Sequence, residues 1–190
     1  PGMRFRATLK AGGEVVSQAE QTAADGVLCA LEIKAPRPWS LDDPFLYDLI
    51  LEVVIDGEVV DTVESYAGLR KIHIEGNQVY LNNEPIYQRL VLDQGFYPDG
   101  IWTAPSDGAL KRDIELSKKA GFNGARLHQK VFEPRFHYWA DRLGYLTWGE
   151  SSSWGIDVND KESARHFVFE WREVVTREGN HASIIVWTPF

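Results

Sequence analysis

Two rhythms of apolar and polar residues divide this sequence, and they change over near residues 68–82. Upstream, apolar and β-branched residues alternate with polar ones in short runs at 3–9, 27–33 and 47–55. A period of two is that of a strand with one covered face. Turn-forming groups separate the runs: Ala11-Gly12-Gly13, Ala24-Asp25-Gly26 and Asp56-Gly57. Asp-Gly between the run at 49–55 and the run at 58–64 predicts a tight hairpin. Pro36, Pro38 and Pro44 mark a long crossing between strands, since proline cannot donate to a ladder. The region predicts an antiparallel β-sandwich with about five strands visible, where a complete one has about seven.

Downstream of residue 82 the text alternates strand and helix. Residues 85–93 predict a strand. Ser106 then caps a helix whose Leu110, Ile114, Ser117 and Gly121 line one face, with Gly121 as its stop. Residues 122–128 form a second strand. Pro134 opens a second helix, with Phe136, Trp139 and Leu143 at helical spacing and Gly144 ending it. Residues 145–150 form a third strand. Asp160 starts a third helix whose Ala164, Phe167, Val168, Trp171, Val174 and Val175 make an apolar stripe. Residues 184–187 form a fourth strand. Strand–helix units in series imply a parallel sheet, either doubly wound or a (β/α)₈ barrel, and these amount to half a barrel. The expected domains are residues 1–76 and 77–190. A short sandwich and a last strand with no helix after it predict a fragment of a longer protein.

Composition narrows the partners. A net charge of −8 and a pI near 5.1 argue against nucleic acid, whose phosphates need clustered Lys and Arg. A neutral substrate fits this charge. The single cysteine, Cys29, cannot form an internal disulfide and reads as a buried small hydrophobe. No run of about 18 apolar residues is present to span a bilayer, and no signal peptide precedes Met3. The chain is expected to be soluble and off the membrane, with bacterial cytoplasm, periplasm and secretion all open. Aromatic residues make up 12%, enough either to fill a core or to stack on sugar rings.

In a barrel, reactive groups sit where strands end on the C-terminal face. The first strand end offers Asp93 and Gln94, the second Arg126 and His128, the third Glu150, the fourth Trp187. Arg126 with Glu150 or Asp93 reads equally as a buried ion pair, because buried charge is kept when paired. His128 is either a structural hydrogen-bonder or a ligand contact. Trp148 is assigned to the core, turned away from Glu150's side, whereas Trp154 and Trp102 lie in loops and can serve as sugar platforms. Phe132, Phe136 and Trp139 read as core, residues 170–178 as a solvated charged face, and Glu178-Gly179-Asn180-His181 as a helix stop and polar loop. No phosphate-binding glycine loop, paired-His zinc helix or Gly-x-Ser-x-Gly elbow occurs.

The run Asn123-Gly-Ala-Arg126-Leu-His128, followed by Asp141-x-x-Gly144 and an apolar strand, resembles the first signature of family-2 glycoside hydrolases. Gln129 and Lys130 stand where that family usually continues into His-Tyr-Pro. Glu178-Gly-Asn180-His181-Ala-Ser183-Ile-Ile-Val-Trp187 resembles the second signature. Trp39-Ser-Leu-Asp-Asp-Pro44-Phe-Leu-Tyr47 and Gly68-Leu-Arg70 resemble the end of the family's immunoglobulin-like domain, and Leu81-Asn82-Asn83-Glu84-Pro85-Ile86 its entry into the barrel.

The resemblance implies an incomplete immunoglobulin-like β-sandwich followed by the first half of a (β/α)₈ TIM barrel. It implies a retaining β-glycosidase, β-galactosidase foremost, whose acid/base Glu would follow Phe190 and whose nucleophile would lie further on. This chain alone is then expected to be inactive, with no catalytic residue of its own. The implied substrate contacts are Asp93, Gln94, Trp102, Arg126, His128, Glu150, Trp154 and Trp187, with Arg126 supporting the nucleophile. No cofactor is expected, save that a divalent metal such as magnesium near Glu150 fits some full-length β-galactosidases. The expected partner is a carbohydrate, with self-association through an open barrel edge. The rival reading is a non-catalytic carbohydrate-binding or structural module.

Overall fold

The computed structural model describes residues 2–157 and 159–189. The chain forms two compact units: residues 1–38 with 45–69, and residues 39–44 with 70–190. The expected boundary at 76–77 lies inside the second.

The first unit is an antiparallel sheet of β1 (Met3–Ala11), β2 (Glu14–Thr22), β3 (Tyr47–Ile55) and β4 (Glu58–Ala67), in the order β2-β1-β3-β4. Asp56 and Gly57 join β3 to β4 with φ of 53° and 89°, the two positive values that match the twist of a two-residue hairpin. Alternation places Ala7 and Leu9 opposite Leu51 and Leu49 on an apolar face. On the other face Arg6 pairs with Glu20 at 2.8 Å and with Glu52 at 3.4 Å.

The strand expected at 27–33 is absent. Those residues are irregular, Leu28 is 88% exposed and Cys29 is half-buried rather than buried. β2 takes the place beside β1 instead. Its sequence is mostly polar, so pattern alone gave no signal. Gly12 and Gly13 close the β1–β2 turn with φ of 59° and 89°, and such a short closure costs little chain entropy.

The second unit opens with a three-stranded antiparallel sheet of β5 (Ile72–Glu75), β6 (Gln78–Leu81) and β7 (Glu84–Ile86). The rest alternates strand and helix: β8 (Leu90–Asp93), α1 (Asp107–Lys119), β9 (Gly124–Leu127), α2 (Pro134–Leu143), β10 (Leu146–Glu150), α3 (Lys161–Glu178) and β11 (Ile184–Thr188). β8 to β11 are parallel and lie in sequence order. The single strand expected over 85–93 is split between two sheets. Asn123 holds the break, its side chain accepting from the Arg89 N–H at 2.7 Å and donating to the Tyr87 carbonyl at 2.9 Å.

The expected helix ends hold. The Ser106 hydroxyl accepts from the Ala109 N–H, the Asp160 carboxylate accepts from the Ser163 N–H, and Gly144 ends α2 with φ of 64°. Leu110, Ile114, Ala125, Leu127, Phe132, Phe136 and Ala140 form the core between helices and sheet. Two expectations for α3 fail. Val168, placed on the apolar stripe, is 64% exposed, and Glu178, placed on the solvated face, is buried.

Candidate functional site

The C-terminal ends of parallel strands bring loops and polar side chains together, and here they bring four of the expected residues to one place. A cavity of about 190 Å³ opens there, lined by Gln94, Phe96, Trp102, His128, Gln129 and Trp154 among others. Phe96, Trp102 and Trp154 are all more than half exposed, which leaves their ring faces free to a ligand. The Gln94 amide nitrogen donates to His128 Nδ1 at 2.9 Å, so a neutral His128 carries its proton on Nε2. His128 also meets the Trp154 ring edge-on, with centroids 5.5 Å apart. An aromatic lining with few fixed polar groups is the usual make-up of a small-molecule site.

Arg126 and Glu150 are also brought together, on neighbouring strands. Arg126 Nε donates to Glu150 Oε2 at 2.6 Å and Nη2 donates to Oε1 at 3.0 Å, and the Gln129 N–H donates to Oε1 at 3.2 Å. Burial would raise the Glu150 pKa, but these hydrogen bonds and the guanidinium charge outweigh it and hold the carboxyl below its usual value. The described residues of this chain do not by themselves hold a magnesium ion at Glu150. Both Glu150 oxygens are occupied, a fixed cation adjoins them, and among the described residues no three His, Cys, Asp or Glu side chains form a metal-holding group.

Two expected residues are placed elsewhere. Asp93 points with Val91 toward the helices. Its Oδ1 accepts from the Gly95 N–H at 2.8 Å, and burial raises its pKa. Trp187 packs edge-on against Trp171 of α3, its centroid 5.6 Å away, and lies over Gly149 between sheet and helix. The reason is the strand period: Val91 and Asp93 share one face of β8, and Trp187 sits one residue out of phase with the cavity side. The same period corrects Trp148. Two residues before Glu150, it shares that residue's face, is half-buried, and donates to Gln88 Oε1 at 2.8 Å.

Sequence reasoning missed Gln129 and Lys130, both buried beneath the loops. The only signal was their departure from the His-Tyr-Pro pattern. It also missed a buried network at the opposite ends of the strands. His181 Nδ1 lies 2.6 Å from Asp141 Oδ2 and Nε2 lies 3.1 Å from Glu178 Oε2, while the Ser183 N–H donates to Asp141 Oδ1 at 2.7 Å. Burial opposes charge on His181, but the two carboxylates prevail and raise its pKa to about 9. His137 stacks at a tilt beside it, 5.2 Å between centroids, and burial and that neighbouring charge lower its pKa to about 4. Trp39 Nε1 donates to the Asp141 carbonyl at 2.6 Å and Arg70 Nε to the Ala182 carbonyl at 2.9 Å. Trp39, Arg70, Asp141, Glu178 and His181 therefore meet in one network within the second unit.

Residues 5–70 match the sequence profile of glycosyl hydrolases family 2. The chain is 29% identical over 174 residues to a β-galactosidase of Pseudoalteromonas haloplanktis, covering 87% of this chain and 17% of that protein. It is 28% identical to a β-galactosidase of Aeromonas hydrophila, covering 98% and 20%. The β-glucuronidase from Ruminococcus gnavus, solved in complex with D-glucuronic acid, superposes over 100% of this chain and 32% of its own, with a TM-score of 0.88 and 25% identity. The chain is similar to glycosyl hydrolases family 2. The chain spans about a fifth of the curated relatives' length and about a third of the solved structure. No helix among the described residues is long and apolar enough to cross a membrane.

Proposed function

We propose that this chain supplies the sugar-positioning part of a retaining β-glycosidase, with a β-galactoside as the substrate class. The observation that carries the reading is the cavity itself: Trp102 and Trp154 flank it, and Gln94 and His128 offer hydrogen bonds between them. Glu150, paired with Arg126, also accepts from the N–H of Gln129, which lines the cavity. The lysine lining the cavity, Lys130, has its ammonium engaged with the Gly95 and Trp102 carbonyls and with Glu133, which favours a neutral sugar over a uronate.

On this reading the first unit is part of an immunoglobulin-like sandwich and the second is the first half of a (β/α)₈ barrel. The unbroken strand order supports a barrel, since a doubly wound sheet reverses order at its switch point. Retaining hydrolysis needs two free carboxyls about 5–5.5 Å apart, one protonated and one nucleophilic. Glu150 is engaged by Arg126, and Asp93 is turned toward the helices. Binding without turnover is therefore the behaviour assigned to the 190-residue chain, and hydrolysis to the whole protein. Incubation of the chain with a chromogenic β-galactoside should give no release above background. A titration with methyl β-D-galactopyranoside should perturb tryptophan signals. Turnover would overturn the first statement, and a flat titration the second.

A further inference from the structure

Gln129 and Lys130 follow the end of β9, and their side chains reach in opposite directions. Gln129 sits at φ of 54°, in the left-handed region that a non-glycine residue seldom adopts. Its Oε1 accepts from the Ser153 N–H at 2.8 Å and the Trp154 N–H at 3.2 Å, and its Nε2 donates to Ser153 Oγ at 3.0 Å. Lys130 Nζ donates to the Gly95 carbonyl at 3.2 Å and to the Trp102 carbonyl at 2.7 Å. It thereby ties Gly95, near the start of the loop, to Trp102 within it. That loop closes on itself through reciprocal Tyr97–Ile101 backbone hydrogen bonds of 2.8 Å.

Trp102 and Trp154 are 58% and 73% exposed, whereas Gln129 and Lys130 are 9% and 8% exposed. An exposed ring has little packing of its own to orient it, so its place is set by the backbone that bears it. Burying an ammonium is costly unless it is fully engaged, and here two loop carbonyls and Glu133 engage it. Taking the cavity as the sugar site proposed above, we infer that Gln129 and Lys130 are positioning residues that set its two aromatic walls, Gln129 the Trp154 wall and Lys130 the Trp102 wall. In this role each acts on the sugar through the aromatic wall it holds. Recognition surfaces lose affinity when such supports are loosened by about 1 Å.

The test uses the whole chain labelled with 5-fluorotryptophan, whose seven tryptophans give separate fluorine resonances. Trp102→Phe and Trp154→Phe assign the two that matter. Lys130→Met should displace the Trp102 resonance and leave Trp154 in place, and Gln129→Leu should do the reverse. Trp39 and Trp148 should stay fixed in both. Lys130→Arg keeps donors for the two carbonyls and Gln129→Glu keeps the acceptor, so each should restore its own wall. Affinity for methyl β-D-galactopyranoside should fall about three- to tenfold in the first pair, the equivalent of one lost hydrogen bond, and recover in the second.

Unmoved Trp102 and Trp154 resonances in the first pair would overturn the inference, as would equal displacement of both walls by either change. If Lys130→Met or Gln129→Leu loses the dispersed spectrum, its conservative counterpart decides: its wall resonance at the unsubstituted position supports the inference, and displacement with Trp39 fixed overturns it. If the unsubstituted chain binds no sugar, the sugar reading falls, while the fluorine shifts still decide the positioning roles.

Discussion

Arg126 and Glu150 meet as a fork, two parallel hydrogen bonds of 2.6 and 3.0 Å between a half-exposed guanidinium and a carboxylate whose side chain has no exposed surface. The arrangement decides between the two partners that strand-end reading left open for Arg126, since Asp93 faces the helices. Bidentate geometry fixes both side chains as well as pairing their charges. The carboxylate depends on the arginine more than the reverse, because only the carboxylate lacks water.

Removal of Arg126 should therefore show that dependence. Arg126→Met is predicted to destabilise the chain by about 1–3 kcal/mol, the cost of leaving a buried polar group short of its partner, with water entering from the exposed side limiting it. The loss should be largest above the ordinary carboxyl pKa and shrink as acid neutralises Glu150. Adding Glu150→Met should recover much of it. Urea titrations at neutral and acid pH check both statements.

The His181 and His137 shifts predict opposite limbs of a pH–stability curve. His181 is raised to about 9, so the folded state holds its proton more tightly. Its contribution is full below about 6.5, the unfolded value, and is lost as pH rises through about 9. His137 is lowered to about 4, so its contribution is full above about 6.5 and is lost as pH falls toward about 4. Together they give a maximum near pH 6.5. His181→Gln should flatten the alkaline limb and His137→Phe the acid one, read by melting temperature across pH. An unchanged alkaline limb in His181→Gln would refute the assignment.

Gly95 holds two constraints at once. Its φ is 57°, and an added Cβ would lie 2.8 Å from Lys130 Nζ and 2.9 Å from the Phe132 ring. Gly12 has a φ of 59° and open space around it. Gly12→Ala should thus cost only the backbone term of about 1 kcal/mol. Gly95→Ala should cost about 1–3 kcal/mol more and displace the Trp102 loop. Equal destabilisation by the two changes would show that Lys130 and Phe132 yield freely.

The outer edges of β8 and β11 have no strand partner among the described residues, and Leu92 on β8 is 54% exposed. Open edges and exposed apolar side chains template association. The isolated chain is predicted to self-associate at high concentration, and a clean monomer by light scattering at those concentrations would count against it.

What the sequence determined by itself is the set of features that a few neighbouring residues specify. The Asp56-Gly57 turn, the Ser106 and Asp160 caps, the Gly144 stop and the strand–helix alternation all rest on local φ preferences and spacing, and all were legible. So was the gathering of Gln94, His128, Arg126 and Glu150 at strand ends, because parallel strands put their C-terminal ends on one side. Tertiary structure decided the rest. β2 forms because β1 lies beside it, although its own residues are polar. Asp93 and Trp187 face the helices rather than the cavity because facing depends on where a strand begins, which a run of apolar letters does not mark. Glu178 and His181, read as solvent-facing punctuation, become the centre of a buried joint because Asp141, some 40 residues away in the chain, arrives to pair with them. Gln129 and Lys130 carried no local sign of what they hold, since the loop groups they bind lie 24 to 35 residues away. A charge or an amide becomes informative only when the fold removes water and supplies its partner.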